Sequence, residues 1–223
     1  MPASGFAFLS ELKNNNNREW FDQHKSNCLQ EMEYVGSFAE AVIEALNTHD
    51  VIETKSGKKS LWRIYRDTRF SKDKTPYKTH WGGHFTRAGH SRRGGYYYHL
   101  EPGNSYVLGG FNAPNAQDLK RIREDIAYDD RALREILNSE AFRASFGSLR
   151  GGQLKTSPKG FDPEHPANDL LRYKQFLLIQ QFSTDEVMSK GFVQQVSQAY
   201  KNMRPFFDYM SEVLTADVNG LAI

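Results

Sequence analysis

The chain has one cysteine and no long apolar run, and its 29 Lys and Arg nearly balance its 27 Asp and Glu. The single thiol, Cys28, excludes a disulfide framework and a metal site built from several thiolates. A mean hydropathy of −0.68 excludes a membrane-spanning helix, so no membrane partner is expected. The first twelve residues lack the basic stretch and cleavage site of a signal peptide. We therefore expect a cytoplasmic protein.

Aromatic residues are abundant, with 15 Phe, 11 Tyr and 3 Trp among 223 residues. So much aromatic surface has to be buried, which excludes a disordered chain. The length suits one large domain or two small ones. We expect residues 1–223 to form a single α+β domain.

The balanced charge conceals one strongly cationic segment. Residues 55–93 hold 12 Lys and Arg against two Asp, whereas the rest of the chain holds 17 basic and 25 acidic residues. Such an asymmetry indicates an anionic partner that meets one surface. The alternative is that the basic segment pairs with acidic groups of its own fold.

Two periodicities predict the fold. Apolar residues in steps of three and four predict a long helix over residues 17–47, capped by Asn16, after a short helix over residues 5–13. Short aromatic segments punctuated by glycine predict strands over residues 61–65, 80–87, 95–101, 105–111 and 175–182. Short connections between the earlier strands favour an antiparallel meander.

Helical periodicity returns after the first strands. It predicts three helices between Asn115 and Gly147, a short one near residues 166–173, and a last one over residues 191–214. Pro205 is expected to kink or split that last helix. The prediction is an α+β fold: a central antiparallel sheet of about five strands, flanked by a long N-terminal helix, a middle helical segment and a kinked C-terminal helix.

The densest group of functional side chains lies in residues 63–78. Strand alternation directs Trp62 and Ile64 toward the core. The long loop after this strand folds back if Pro76 and a turn at Asp73 restrict its backbone. Five cations would then converge and hold a phosphate or carboxylate through charge-assisted hydrogen bonds: Arg63, Arg66, Arg69, Lys74 and Lys78. Asp67 would orient an arginine, bind a metal or act as a base.

A second group follows on the next predicted strands. Alternation places Tyr97, His99 and Glu101 on one face, where His99 would move a proton and Glu101 or Asp67 would orient it. His80 and His84 share a face, and Gly82 between them leaves room above the sheet. With Glu101 they would form a weak nitrogen and oxygen metal set, but structural histidines are more common and no metal site is predicted.

A third group, residues 157–166, is rich in proline and glycine and predicts a rigid surface turn. Lys159 there would reach an anion, although a structural role for the turn is the favoured interpretation. Motifs of nucleotide hydrolases, dinucleotide enzymes, serine hydrolases and zinc proteases are absent. Nucleic acid ranks below a small anion as partner, because the protein is weakly basic although five aromatics interleave its cationic segment: Trp62, Tyr65, Phe70, Tyr77 and Trp81.

Several longer motifs resemble one family over about residues 6 to 212. They are Asn15-Asn16-Asn17-Arg18-Glu19-Trp20-Phe21, the Arg63–Lys78 run, Tyr97-Tyr98-His99-Leu100-Glu101-Pro102-Gly103, Pro158-Lys159-Gly160-Phe161-Asp162, His165-Pro166 and Lys174. The family is the domain of unknown function 2461, found in bacteria and fungi. The resemblance implies no catalytic residues, because the family is uncharacterised. Phe161 stands where the family usually has tyrosine, which argues against an essential hydroxyl there.

Three hypotheses follow. The cationic segment and His99 form an anion-handling site, that of an enzyme on an acidic substrate if the site is catalytic; or the chain is a non-catalytic module for nucleic acid or an acidic protein; or the Arg and Asp residues form a purely structural ion-pair network. The first ranks slightly above the third. Nothing in the sequence indicates a cofactor or an oligomeric state.

Overall fold

The computed structural model describes residues 2–216. Its helices and strands follow in chain order: Ala3–Asn14 (α1), Arg18–Leu46 (α2), Gly57–Ser60 (α3), Trp81–Thr86 (β1), Gly95–Leu100 (β2), Ser105–Phe111 (β3), Ala116–Tyr128 (α4), Arg131–Asn138 (α5), Glu140–Phe146 (α6), Asn168–Leu171 (α7), Phe176–Phe182 (β4), Thr184–Met188 (α8) and Phe192–Thr215 (α9). The α+β class is confirmed. No helix within residues 2–216 is long and apolar enough to cross a membrane.

The sheet is antiparallel and has the strand order β1-β2-β3-β4. The predicted count of about five strands becomes four, because residues 61–65 make only two isolated bridges, Leu61 to Gly83 and Tyr65 to Tyr77. Ile64 is buried as expected, but Trp62 is 44% exposed. The expectation that Trp62 faces the core was therefore wrong.

The long helix α2 is confirmed, but its cap is Asn17 rather than Asn16. The side chain of Asn17 accepts a hydrogen bond from the backbone N–H of Trp20, at 3.0 Å. Asn16 instead exchanges two bonds with the backbone of Tyr77, through its amide nitrogen at 2.9 Å and its amide oxygen at 3.1 Å. Asn16 thereby ties the end of the cationic loop to the turn between α1 and α2.

A close approach of two backbones places α3 on α2. A Cβ atom at Gly57 would lie 2.1 Å from the carbonyl oxygen of Gly36, so only glycine fits at position 57. The backbone N–H of Gly57 also donates to the carboxylate of Glu40, at 2.6 Å. This contact fixes the start of the segment that carries Trp62 and Arg63.

Helices α4 to α7 and α9 lie where the periodicity predicted helices, whereas α8 was not predicted. Asn115 caps α4, and Gly147, at φ 67°, ends α6. Pro205 was expected to kink or split the last helix; α9 continues through Pro205, so the helix is not split there.

The described residues group into two compact units. The first comprises residues 2–86, 97–107 and 181–198, and the second comprises residues 87–96, 108–180 and 199–216. The expectation of a single domain stays a prediction.

Candidate functional site

Most side-chain hydrogen bonds of the loop between residues 66 and 75 join residues of the loop to one another. The guanidinium of Arg66 donates to the carboxylate of Asp73, at 2.5 Å, and to the hydroxyl of Thr75. Arg69 donates to both oxygens of Asp67, at 3.0 Å and 2.6 Å. Hydrogen bonds from Thr75 and Arg66 lower the pKa of Asp73 to about 2, and those from Arg69 lower the pKa of Asp67.

The five cations were predicted to converge on one anion, but three of them, Arg66, Arg69 and Lys74, bind acceptors within the loop itself. Lys74 donates to the carbonyl of Thr68, at 2.8 Å. Arg66 and Arg69 each hold a carboxylate of the loop, and the side chain of Arg69 is 77% exposed. Of the three roles left open for Asp67, the contacts match the first, orienting an arginine. The ion-pair hypothesis thus describes this part of the loop well.

Arg63 and Lys78 differ from the other cations. The ammonium of Lys78 donates to the backbone carbonyl of Arg63, and burial together with the charge of Arg63 lowers the pKa of Lys78. Among residues 2–216, neither side chain has a carboxylate within ion-pair distance. Arg63 is exposed, and its charge also helps to lower the pKa of Asp67, so Arg63 and Lys78 form a neighbouring pair of cations without an ion-pair partner of their own.

Strand β2 presents its two faces as alternation predicted. Tyr96, Tyr98 and Leu100 are at most 1% exposed, whereas Tyr97 is half-buried on the opposite face. On that opposite face three groups form a chain of hydrogen bonds. The Tyr97 hydroxyl lies 3.0 Å from Nδ1 of His99, and Nε2 of His99 lies 3.2 Å from Glu101.

Glu101 is held as a carboxylate by the groups around it. Asn104 donates to it at 3.0 Å and Thr79 at 3.4 Å. Burial opposes ionisation of Glu101, but hydrogen bonds from Asn104 and His99 outweigh burial and lower its pKa. Because a carboxylate only accepts hydrogen bonds, Nε2 of His99 carries a proton. In the neutral imidazole, Nδ1 then accepts from the Tyr97 hydroxyl.

The ring of His99 lies between two others. His80 stacks on it with ring centroids 4.1 Å apart, and Tyr106 stacks with centroids 4.6 Å apart. Burial, followed by the charge of His99, lowers the pKa of His80 to about 4; Lys78 and Arg66 add to the effect and Glu101 opposes it. Cations of the 63–78 segment are therefore close enough to act electrostatically on this stack.

Trp62 contacts both Tyr97 and Lys78 and so belongs to the same group of side chains. Its ring centroid lies 4.9 Å from that of Tyr97, and the ammonium of Lys78 lies 5.9 Å from the Trp62 centroid. The Trp62 N–H donates to Nδ1 of His84, at 2.9 Å. We call this surface the His99 face and define it by seven side chains: Trp62, Lys78, His80, Tyr97, His99, Glu101 and Tyr106.

The weak metal set is not assembled. The part of the chain that the structure describes holds no group of three His, Cys, Asp or Glu side chains placed to bind a metal. His84 is held by Trp62, and His80 stacks on His99. The space above Gly82 receives the Tyr97 hydroxyl, which a Cβ atom at Gly82 would approach to 3.0 Å.

The third predicted group lies in the second compact unit, where Lys159 is exposed. His165 makes backbone contacts: Nε2 lies 3.2 Å from the carbonyl of Ala127, and Nδ1 accepts from the N–H of Ala167, at 3.1 Å. These contacts match the structural interpretation of the 157–166 turn.

Sequence reasoning placed Tyr97 on the correct face but gave it no role, although its hydroxyl contacts His99 and also hydrogen-bonds the side chain of Tyr106. It also missed Thr79, Asn104 and Tyr106 as partners of the site. Alternation along β3 would have indicated Tyr106, since its neighbours Ser105 and Val107 are buried on the other face. No local pattern indicates Asn104, which reaches Glu101 through the turn between β2 and β3.

Comparisons with known proteins give one match. Residues 4–209 match the family model described as conserved hypothetical protein (DUF2461). No curated protein and no solved structure matches the chain.

Proposed function

The chain belongs to the DUF2461 family of conserved hypothetical proteins, and we propose that it binds a small acidic molecule through Arg63 and Lys78 and exchanges a proton with it through Tyr97 and His99. One observation carries the proposal. Lys78 lies close enough to the Tyr97–His99–Glu101 chain of hydrogen bonds for its charge to act on His80, it has no ion-pair partner among the described residues, and the charge of Arg63 acts on it in turn.

The cations set the class of ligand. Lys78 offers a compact charge, and Arg63 offers a planar group that can bind two oxygens at once. Phosphate and carboxylate groups are the anions that match such a pair. Burial is the main cause of the lowered pKa of Lys78, and binding of an anion would relieve the second cause, the repulsion from Arg63.

The hydrogen-bond chain would supply proton transfer. His99 is only 7% exposed and Tyr97 is half-buried, so we assign contact with the ligand to the Tyr97 hydroxyl, which also hydrogen-bonds Tyr106. A proton leaving the ligand would reach the Tyr97 oxygen as that hydroxyl passes its own proton to Nδ1 of His99. Glu101 would stabilise the resulting imidazolium, as a carboxylate does beside a catalytic histidine. Asp67 has no part in this mechanism, because Arg69 holds both its oxygens.

The test is a thermal-unfolding screen with inorganic phosphate, phosphate monoesters and short carboxylates, followed by turnover assays on any binder. A ligand at 100 times its Kd should stabilise the folded protein by about 2.7 kcal/mol. We expect Lys78→Met to lose binding, and Lys72→Met, which changes an exposed lysine of the same segment, to retain it. Tyr97→Phe should bind the ligand but not turn it over. A screen without any stabilising anion would contradict the proposal.

A second candidate function is binding of single-stranded nucleic acid. Phe70 is 96% exposed, and Trp62 and Tyr65 are about half exposed among the cations of the segment, whereas Tyr77 and Trp81 are buried. Exposed rings stack on bases of any sequence, and the cations follow the backbone.

Anisotropy of a labelled oligonucleotide, measured over a range of salt concentrations, tests this second candidate. Nucleic-acid binding predicts that the affinity for the oligonucleotide falls steeply as the salt concentration rises. It also predicts that Phe70→Ala weakens this affinity. The matched control is Tyr128→Ala, which removes another highly exposed ring from a different part of the chain. Equal losses in the two variants, or no dependence on salt, would exclude specific stacking at Phe70.

A further inference from the structure

A cleft of about 410 Å³ lies within the second compact unit, among helices α5, α6 and α7. Its volume is in the range of small-molecule sites. Three arginines and one carboxylate line it: Arg134, Arg143, Arg172 and Asp169. The lining thus carries more positive than negative charge.

One arginine and the carboxylate compensate each other. Arg134 binds both oxygens of Asp169, at 2.8 Å and 3.2 Å, and donates to Asp130 at 2.7 Å. The hydrogen bond from Arg134 lowers the pKa of Asp169. This pair joins α5 to α7 and forms a fixed wall of the cleft.

The other two arginines have only neutral acceptors. Arg143 donates to the amide oxygen of Asn138, at 2.5 Å. Arg172 donates through Nε to the carbonyl of Leu154, at 2.9 Å, which fixes its position while its terminal nitrogens retain hydrogen-bonding capacity. Within residues 2–216, neither arginine forms an ion pair with a carboxylate.

The rest of the lining is partly apolar. Leu137, Leu149 and Leu170 line the same cleft, and Leu149 and Leu170 are at most 6% exposed. Tyr173 adds its ring, and its hydroxyl is already used by the carbonyl of Leu149, at 3.0 Å. Apolar walls beside two uncompensated guanidinium groups suit a molecule with a hydrocarbon body and one acidic end.

We infer that this cleft binds a small organic acid, whose carboxylate or phosphate lies on Arg143 and Arg172 and whose apolar body lies on the three leucines. The site is separate from the His99 face, which lies in the first compact unit.

The test is calorimetric titration of the full chain with benzoate, hexanoate, phenyl phosphate and inorganic phosphate. We expect at least one of the organic acids to bind, and phenyl phosphate to bind more tightly than inorganic phosphate because its ring is buried. Arg143→Met should weaken that binding roughly tenfold or more, as expected for a lost charged hydrogen bond. Arg131→Met, which removes an arginine that is 88% exposed and does not line the cleft, should leave it unchanged.

The variants also separate this site from the proposed function. Binding at the cleft should persist in Lys78→Met. Arg172→Met provides a second test, with circular dichroism to confirm folding, since it also removes the bond to Leu154. The inference is overturned if none of the four compounds binds, or if binding keeps its affinity in Arg143→Met.

Discussion

The imidazole of His80 stacks on that of His99 with their ring centroids 4.1 Å apart. Two histidines at this distance cannot both carry a proton without strong repulsion. Burial and the charge of His99 accordingly lower the pKa of His80 to about 4, while Nε2 of His99 lies 3.2 Å from the carboxylate of Glu101.

The first prediction concerns the pKa of His80. Nuclear magnetic resonance of the ring protons should give a pKa of about 4, because burial and the charge of His99 disfavour protonation. An unfolded chain has a histidine pKa of roughly 6.5. As the pH falls from that value toward 4, the unfolded state binds more protons at His80 than the folded state does. The contribution of His80 to stability is therefore lost over that window.

Urea unfolding of the wild type and of His80→Gln, at pH 7.5 and pH 5, checks the same point. The free energy of unfolding should fall less on acidification in the variant than in the wild type, because the variant lacks the contribution of His80. Some loss should remain, because other groups still titrate. Titration of His80 near its ordinary pKa would contradict the stacking geometry.

The second prediction uses the core face of β2. The hydroxyl of Tyr98 lies 3.1 Å from the buried hydroxyl of Ser60. Tyr98→Phe should lower the free energy of unfolding by about 1 kcal/mol, the usual value of one such bond, and leave ligand binding at the His99 face unchanged. Chemical denaturation measures the first effect. A variant as stable as the wild type would show that this bond contributes nothing.

The third prediction compares two adjacent glycines. A Cβ atom at Gly83 would lie 2.4 Å from the Ser60 carbonyl and 2.5 Å from the Tyr98 hydroxyl, so Gly83→Ala should destabilise the protein by about 1–3 kcal/mol or more. At Gly82 the nearest atom is the Tyr97 hydroxyl at 3.0 Å. Gly82→Ala should therefore fold and yet displace Tyr97. Thermal unfolding and ligand binding of the two variants distinguish these effects, and equal stability of the two would refute this account.

The fourth prediction concerns the 66–75 loop. Because Arg66 and Asp73 hold each other at the surface, Arg66→Ala and Asp73→Ala should both stay folded but expose the loop to protease. The double variant should be cleaved at least as fast as either single variant, since each single change removes the Arg66–Asp73 pair together with a different bond to Thr75. Lys72→Ala is the control and should resist cleavage like the wild type. Unfolding of Arg66→Ala would instead mean that the whole fold depends on this pair.

Local sequence patterns predicted most of the helices and strands, and they predicted some of the side chains that form the His99 face. Steps of three and four residues predicted α2, and alternation predicted that Tyr97, His99 and Glu101 share a face, because both patterns follow from backbone geometry alone. The ends of long side chains do not follow from it. Arg66 pairs with Asp73, seven residues away, and Asn16 hydrogen-bonds Tyr77, sixty-one residues away. Because such partners depend on how the chain folds, only the tertiary structure decides which cations lack an ion-pair partner.

The most direct test of the account follows the ring signals of His80 and His99 while inorganic phosphate is added. We predict saturable shifts of both rings that are retained in Lys72→Met and absent in Lys78→Met. Rings that do not respond to phosphate, or that respond equally in the two variants, would contradict an anion site at Arg63 and Lys78.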